Sequence, residues 1–195
     1  MDRETKRFWR ERRREMLRRD RRLNGGWAQG NPITVALVLL MIAGWLAETF
    51  LPNLLGQIIF LPGGRWISAL LSVILPGGIL GLLFSGLFVW IIGTAIEGIA
   101  KPFQYLIIFF GSGFVGALVI GIMGGGGAAL AAFGLAGGYV HSMAHISKGG
   151  AVQWALVLLG INAVLSGFQV TLLAGEASAF VAGLAIASLV RLGAR

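Results

Sequence analysis

Long apolar runs, separated by short breaks rich in glycine and proline, are the feature that most restricts how this chain folds. Beyond residue 30 each run is roughly 16 to 22 residues long, close to the about 20 residues that cross a bilayer core as a helix. Only 12% of the 195 residues are charged, about half of the fraction usual in soluble domains. The chain contains no cysteine, so disulfides and thiolate metal sites are excluded. The sequence therefore predicts an all-α integral membrane protein.

Six of these runs are predicted to cross the membrane within one compact domain, residues 31–195. Asn31 as the cap and Pro32 in the first turn are typical of a helix start. Pro76-Gly77-Gly78 interrupts the second apolar region, so the second span is predicted from about Ile79. Leu51 to about Ile67 is apolar but holds prolines and glycines, which predicts an interfacial excursion rather than a span. The predicted spans are 33–50, 79–100, 103–123, 128–143, 151–168 and 177–192.

The first 30 residues form a separate basic tail. Eleven of the 16 Lys and Arg residues lie between Arg3 and Arg22, and acidic residues three or four positions away predict a surface helix with intrahelical ion pairs. A glycine-rich linker, Gly25 to Gly30, joins this helix to the first span. Three roles stay open: a solvated tail that sets orientation, an anchor on anionic lipid, or a contact with an acidic partner.

The arginines of this tail are the candidates for contact with lipid or with an acidic partner. No motif or aromatic pattern of nucleic-acid binding accompanies the charge, so we do not expect that function. The candidate residues are Arg10, Arg12, Arg13, Arg14, Arg18 and Arg19.

The distribution of positive charge predicts the orientation of the chain. With six spans both termini lie on one side, and an arginine-rich tail favours the cytoplasm. Lys101, Lys148, Arg191 and Arg195 then fall on the same side as the tail, and Arg65 falls on the other. We therefore expect both termini to be cytoplasmic, in a protein of the bacterial inner membrane.

Few ionisable residues lie within the predicted bundle. Glu48, Glu97 and Glu176 are each predicted near a span end, where water or a local partner is available. His141 and His145 are spaced four positions apart, as in some zinc motifs, but no carboxylate or thiolate ligand accompanies them. We therefore predict no metal site and no cofactor.

Several stretches, in order along the chain, resemble the motifs of one membrane-protein family. Gly64 to Ser68 followed by Leu75 to Trp90 resembles the first loop and the second span (FLHGGxxHLxxNMxxLW) of the rhomboid intramembrane proteases. Gly111 to Gly116 resembles their Tyr-x-x-Ser-Gly-x-x-Gly stretch. Gly127 to Tyr139 resembles the GASGAIFGLLGAY motif of the fourth span, and Ala179 to Gly183 resembles the AHxGG motif of the sixth. The resemblance implies a six-transmembrane-helix rhomboid-like bundle with a cytoplasmic basic N-terminal helix.

The positions that carry catalysis in rhomboids hold other residues here. The resemblance places Ala129 at the nucleophilic serine and Phe180 at the histidine base, or Ser178 at the base if the register of the sixth span shifts. Gly81 and Ser85 occupy the positions of side chains that stabilise the oxyanion. Because a serine is nucleophilic only when a base takes its proton, we predict that the protein is not an enzyme.

The resemblance also implies a fold that admits a transmembrane helix between its second and fifth spans. A pseudoprotease of this kind would hold or deliver such a helix, so we expect a scaffold that binds transmembrane partner proteins or lipids. Two other functions stay open: a constitutive accessory subunit of a respiratory, photosynthetic or secretion complex, and an active intramembrane protease with different catalytic residues. The aromatic residues expected to contact a partner are Phe84, Phe88, Trp90, Trp154 and Phe168.

Overall fold

The computed structural model describes residues 30–53, 57, 62–122, 130–144, 149–150, 153, 157, 160 and 169–192, and the regular elements of this part are all helices. In chain order they are α1 Pro32–Phe50, α2 Gly64–Ser72, α3 Ile79–Glu97, α4 Pro102–Ile122, α5 Leu130–Ala144 and α6 Val170–Leu189. Those long and apolar enough to cross a membrane are Pro32–Phe50, Ile79–Glu97, Pro102–Gly121 and Val170–Leu189. The prediction of an all-α integral membrane protein is confirmed to this extent.

Glycine and proline set where two of these helices begin. Pro32 stands in the first turn of α1, where its missing N–H removes no intrahelical bond. Gly77 and Gly78 have φ values of 69° and 115°, which glycine adopts without strain, and they turn the chain into α3 directly before Ile79. The predicted break before the second span is therefore confirmed.

The predicted interfacial excursion ends in a helix, which the sequence analysis did not predict. Gly64 to Ile67 form the first turn of α2, and much of the preceding excursion lies outside the described residues. Trp66, Ile67 and Leu70 are exposed, whereas Ala69 is buried among residues of α4, α5 and α6. This division into an exposed and a buried side at helical spacing explains why the segment forms a helix along the bundle.

The last helix begins earlier than the sequence predicts. α6 starts at Val170 and not at Ala177, because Leu172 and Leu173 continue the apolar run on the N-terminal side of Glu176. The prediction was wrong because it took the charge of Glu176 as the end of that run. Glu176 lies in the second turn of α6 and is only 5% exposed, so it is near a helix end as predicted, but bulk water does not solvate it.

Helices α5 and α6 run parallel to each other. Gly134 contacts Gly183, and one turn further along both helices Gly138 lies beside Ala187. The contacts therefore advance in the same direction along the two chains. A return segment between α5 and α6 has to bring the chain back to the end at which α5 began.

Helix α4 runs antiparallel to α6. Ile120, near the end of α4, lies against Gly175 at the start of α6. At the other end the Gln104 amide donates to the Val190 carbonyl at 2.7 Å. Within the packing of α4, α5 and α6, the helix α4 is therefore antiparallel to the parallel pair α5 and α6.

The two ends of the bundle carry different charges. We call the end at which α1 starts the tail-side end; α3 finishes there, because the Ile33 N–H donates to the Glu97 carboxylate at 2.7 Å. Lys101 precedes α4 and Arg191 follows α6, so both lie at this end. Arg65 is in the first turn of α2, where the Trp66 ring lies 6.0 Å from that of Phe114 in the second half of α4, towards the far end. This arrangement agrees with the charge distribution used to predict the topology. Two other residues of that prediction, Lys148 and Arg195, lie outside the described residues.

Candidate functional site

Helices α5 and α6 pack backbone against backbone. A methyl group on Gly183 would lie 2.8 Å from the Gly134 Cα, and one on Gly137 would lie 3.0 Å from the Leu184 nitrogen. Carbon atoms in ordinary contact are about 3.5 Å or more apart, so no side chain fits at either position. Glycine thus permits the close approach that small residues provide between membrane helices.

Helix α4 completes this packing, and we call α4, α5 and α6 together the three-helix core. A methyl group on Gly116 would lie 2.8 Å from the Gly175 carbonyl oxygen of α6. Ser112 lies directly against Gly134 of α5, and its hydroxyl donates to the Ile108 carbonyl within α4. The polar group of Ser112 is therefore satisfied inside its own helix.

The structure describes Phe180, Gly81 and Ser85, three of the positions that the rhomboid resemblance assigns to catalysis. Phe180 is buried in the core, and its carbonyl lies against Gly137. Any side chain at Gly81 would collide with the Pro76 carbonyl oxygen, so this turn has no room for a histidine. Ser85 is buried, and its hydroxyl donates to the Gly81 carbonyl. Ala129 lies outside the described residues.

Five described serine hydroxyls donate to carbonyl oxygens three or four residues earlier in the chain. Ser178 donates to Gly175 at 2.7 Å, and Ser142 donates to Tyr139 at 2.8 Å. A serine that served as a nucleophile would instead direct its proton to a base. Ser72, Ser85 and Ser112 follow the same pattern as these two.

The described histidine lies at the opposite end of the bundle from the serines of the predicted site. His141 is half-buried in the last turn of α5, at the tail-side end. Ser85 and Ser178 lie in the first halves of α3 and α6, towards the far end. The structure therefore does not bring them together. His145 lies outside the described residues, and those residues contain no group of three potential metal ligands.

A carboxylate clamp joins the start of α1 to the end of α3. Glu97 accepts hydrogen bonds from the backbone N–H groups of Ile33 and Thr34, at 2.7 and 2.8 Å, and from the Thr34 hydroxyl at 2.6 Å. The Thr34 oxygen also lies 3.1 Å from the Tyr105 hydroxyl of α4. Asn31, which the sequence predicts as the cap, makes no side-chain cap bond. The helix start is therefore capped from another helix, which no local sequence signal indicates.

A second carboxylate holds the other end of α1. Glu48, in the last turn of α1, accepts from the Gly77 N–H, with its oxygens at 3.2 and 3.1 Å. Gly77 belongs to the turn that leads into α3. Helix α1 is thus fixed to α3 near both of its ends through backbone amides and carboxylates.

The outer side of α3 is an apolar surface that includes one predicted partner-binding residue. Phe84 is 45% exposed, whereas Phe88 is half-buried with its ring 5.9 Å from the Phe133 ring of α5. Trp90 is half-buried. Trp154, Phe168 and the tail arginines lie outside the described residues. The exposed residues that share this surface with Phe84 are Leu80, Leu83, Leu87 and Ile91.

Glu176, which the sequence analysis placed near a span end with water or a local partner, is a candidate functional residue because it is buried. It lies on the buried side of α6 together with Ala179, Phe180 and Gly183. Burial of a carboxylate is costly unless a partner satisfies it, and ionisable residues inside membrane bundles usually have a role. Glu176 lies one turn before Phe180, the residue that the resemblance aligns with the histidine of rhomboids.

Comparison with protein-family models, curated proteins and solved structures finds no match for this chain. Function is therefore argued from the geometry above together with the motif resemblance.

Proposed function

We propose that the protein is a non-catalytic, rhomboid-like membrane protein that binds transmembrane partners or lipids as a scaffold. The observation that carries this proposal is the parallel, backbone-to-backbone contact of α5 with α6 at Gly134, Gly137 and Gly183. These glycines belong to the two stretches that resemble the fourth-span and sixth-span motifs of rhomboids. Close packing is therefore retained at the positions where the family needs it.

The parallel direction of α5 and α6 supports a bundle of six spans. Two parallel neighbours that cross a bilayer require a return crossing between them. The intervening sequence contains Ala151 to Phe168, an apolar run of the length that a crossing needs. A fifth span at these residues would place α5 as the fourth span and α6 as the sixth, in the order that the resemblance implies.

The absence of peptide-bond hydrolysis is part of the proposal. Ala129 and Phe180 offer neither a nucleophile nor a base. Gly81 stands where an oxyanion-stabilising side chain would be, and its contact with Pro76 leaves no space for one. Restoring one residue would not restore the site, because the nucleophile, the base and the oxyanion side chain are all replaced.

The outer side of α3 is the surface that we assign to the partner. α3 corresponds to the second span in this scheme, and its exposed row of leucine, isoleucine and Phe84 side chains matches the apolar surface of a membrane helix. Without water to exclude, association in a bilayer depends on shape and on van der Waals packing. The partner is therefore a transmembrane helix that packs along α3, and the basic tail adds contact with anionic lipid or an acidic surface.

Site-specific crosslinking tests this proposal. A photoreactive phenylalanine analogue at Phe84, introduced into the full chain in native membranes, is expected to crosslink to transmembrane segments of several different proteins, identified by mass spectrometry. The same analogue at Phe88, which faces α5 on the same helix, is the matched control and is expected to crosslink within the chain. Crosslinks from Phe84 to lipid alone would contradict the assignment of a transmembrane protein partner to the outer side of α3.

Stoichiometry and activity separate the other functions. A single set of partners recovered at a fixed ratio would identify an accessory subunit of one assembly and reject a scaffold for varied partners. Cleavage of a transmembrane reporter by the purified protein would reject the non-catalytic part of the proposal.

Deletion of residues 1–30 is expected to weaken partner association most at low salt, because exposed charges are screened within about 10 Å at 0.1 M salt.

A further inference from the structure

Helix α6 ends with an arginine in an unusual backbone conformation. The Arg191 N–H donates to the Ser188 carbonyl at 3.1 Å and the Leu192 N–H to the Ala187 carbonyl at 2.9 Å, the pattern of a Schellman helix end. The residue at this position usually is glycine, because φ is positive there. Here Arg191 has a φ of 53°. A side chain is present where the backbone favours none, which points to a role for the guanidinium group.

Gln104 connects this helix end to a second cation. Its Oε1 accepts from the Lys101 N–H at 2.9 Å, and its Nε2 donates to the Val190 carbonyl at 2.7 Å. The Lys101 backbone nitrogen and the Val190 carbonyl oxygen are therefore joined by two hydrogen bonds and the width of one amide group. These two atoms are at most about 8 Å apart. The Gln104 side chain thus holds the Lys101 backbone close to Val190, the residue before Arg191, at the tail-side end of the bundle.

Both cations are exposed, and no carboxylate of the described residues pairs with either of them. Glu97, one turn before Lys101, has its oxygens engaged by the start of α1. Phe103, two residues after Lys101, is 72% exposed, and Leu189, two residues before Arg191, is 82% exposed. Two cationic residues with neighbouring backbone positions and two exposed apolar residues therefore lie at the same end of two helices long enough to span a membrane.

We propose that Lys101 and Arg191 together bind the phosphate of an anionic glycerophospholipid in the tail-side leaflet. The two cations contact the phosphodiester and the headgroup, and Phe103 and Leu189 contact the start of the acyl chains. Paired cations between membrane helices at headgroup depth suit this ligand. The site belongs to the bundle and not to the arginine-rich tail, and it does not depend on the proposed scaffold function.

Lipid retention by the purified full chain tests the proposal. The protein is titrated with palmitoyl-oleoyl phosphatidylglycerol, or with the zwitterionic phosphatidylcholine, and bound lipid is counted by native mass spectrometry. We expect one phosphatidylglycerol to bind more tightly than the rest. Each lost charge should weaken this site roughly fivefold, and K101Q/R191Q should weaken it about 25-fold. Equal retention by the wild type and K101Q/R191Q would overturn the site.

Two controls separate a site from a general effect of charge. R13Q/R14Q removes the same number of charges from the tail and is expected to leave the tightest lipid in place; an equal loss in both double variants would overturn the proposal. Inorganic phosphate at matched concentration is expected not to displace the lipid, and displacement would identify a free-phosphate site instead. Arg191→Gly preserves the helix end, and its affinity for the lipid is expected to fall roughly fivefold while the protein stays folded. Wild-type lipid affinity in this variant would also count against the site.

Discussion

Replacement of Gly183 by alanine tests whether the contact between α5 and α6 holds the bundle together. The added methyl group would lie 2.8 Å from the Gly134 Cα and 2.6 Å from its carbonyl carbon. Both atoms belong to the backbone of a neighbouring helix, so no rotamer change relieves the overlap. The two helices have to separate by about 1 Å to restore ordinary carbon contact.

The expected loss follows from two opposing terms. Overpacking a well-packed core costs about 1 to 3 kcal/mol, and the upper part of this range applies because the obstructing atoms are main chain and because the neighbouring glycine contacts also open. Alanine is favoured over glycine within a helix by about 1 kcal/mol. The net prediction for Gly183→Ala is a loss of about 2 kcal/mol in the free energy of unfolding.

Gly86→Ala is the matched control for this change. Gly86 is also a buried glycine within a helix, but a methyl group there would have no neighbour within 4 Å. This variant is expected to gain up to about 1 kcal/mol from helix propensity alone. Tryptophan fluorescence, followed during unfolding of the purified protein in mixed SDS and dodecylmaltoside micelles, measures both variants. A Gly183→Ala protein as stable as the wild type would refute the argument that backbone contact requires glycine at this position.

Three further changes test other contacts in the same unfolding assay. Glu97→Ala removes the shared acceptor of two backbone N–H groups and the Thr34 hydroxyl. We expect the free energy of unfolding to fall by about 3 kcal/mol, since one hydrogen bond to a charged group contributes about 1.5 to 3 kcal/mol. An unchanged unfolding midpoint would mean that the clamp contributes nothing to stability. Gly81→His introduces a side chain of the type that stabilises the oxyanion in rhomboids. This variant is expected to unfold more easily than the wild type, because its Cβ would collide with the Pro76 carbonyl, and to cleave no transmembrane reporter. An unfolding midpoint equal to that of the wild type would show that the turn has room for a side chain. Arg191→Gly is expected to stabilise the lipid-free protein by about 0.5 to 1 kcal/mol, because glycine adopts a positive φ without strain, and a lower midpoint would contradict this.

Helix boundaries could be predicted wherever glycine or proline interrupts an apolar run. α3 begins at Ile79, directly after the predicted break, and α4 spans Pro102–Ile122, within one residue of the predicted third span at each end. The start of α6 could not be predicted in this way, because Gly175, directly before Glu176, lies inside the helix and does not interrupt it. A charge alone, at Glu176, was a poor indicator of a boundary since helix packing can bury it.

For the partner-binding surface, the sequence predicted which residue types take part but not which of these residues are exposed. Phe84 and Phe88 are equivalent in the sequence, one turn apart in the same apolar helix, yet Phe84 is exposed and Phe88 packs on Phe133. An amphipathic pattern that would separate the two is missing, because both the lipid and the interior of the bundle favour apolar side chains. Which face is inner therefore depends on the positions of the small residues of neighbouring helices.

Residue types and local breaks along the chain were enough to predict that it is helical and apolar and where several helices begin. The parallel direction of α5 and α6, the capping of α1 by Glu97 in place of Asn31, and the contact of Gln104 with both Lys101 and Val190 depend on how the helices pack. Local backbone preferences and the length of an apolar run are encoded within a few neighbouring residues. A helix cap or a hydrogen bond between residues more than 60 positions apart forms only when helices pack, and no short-range sequence pattern predicts it.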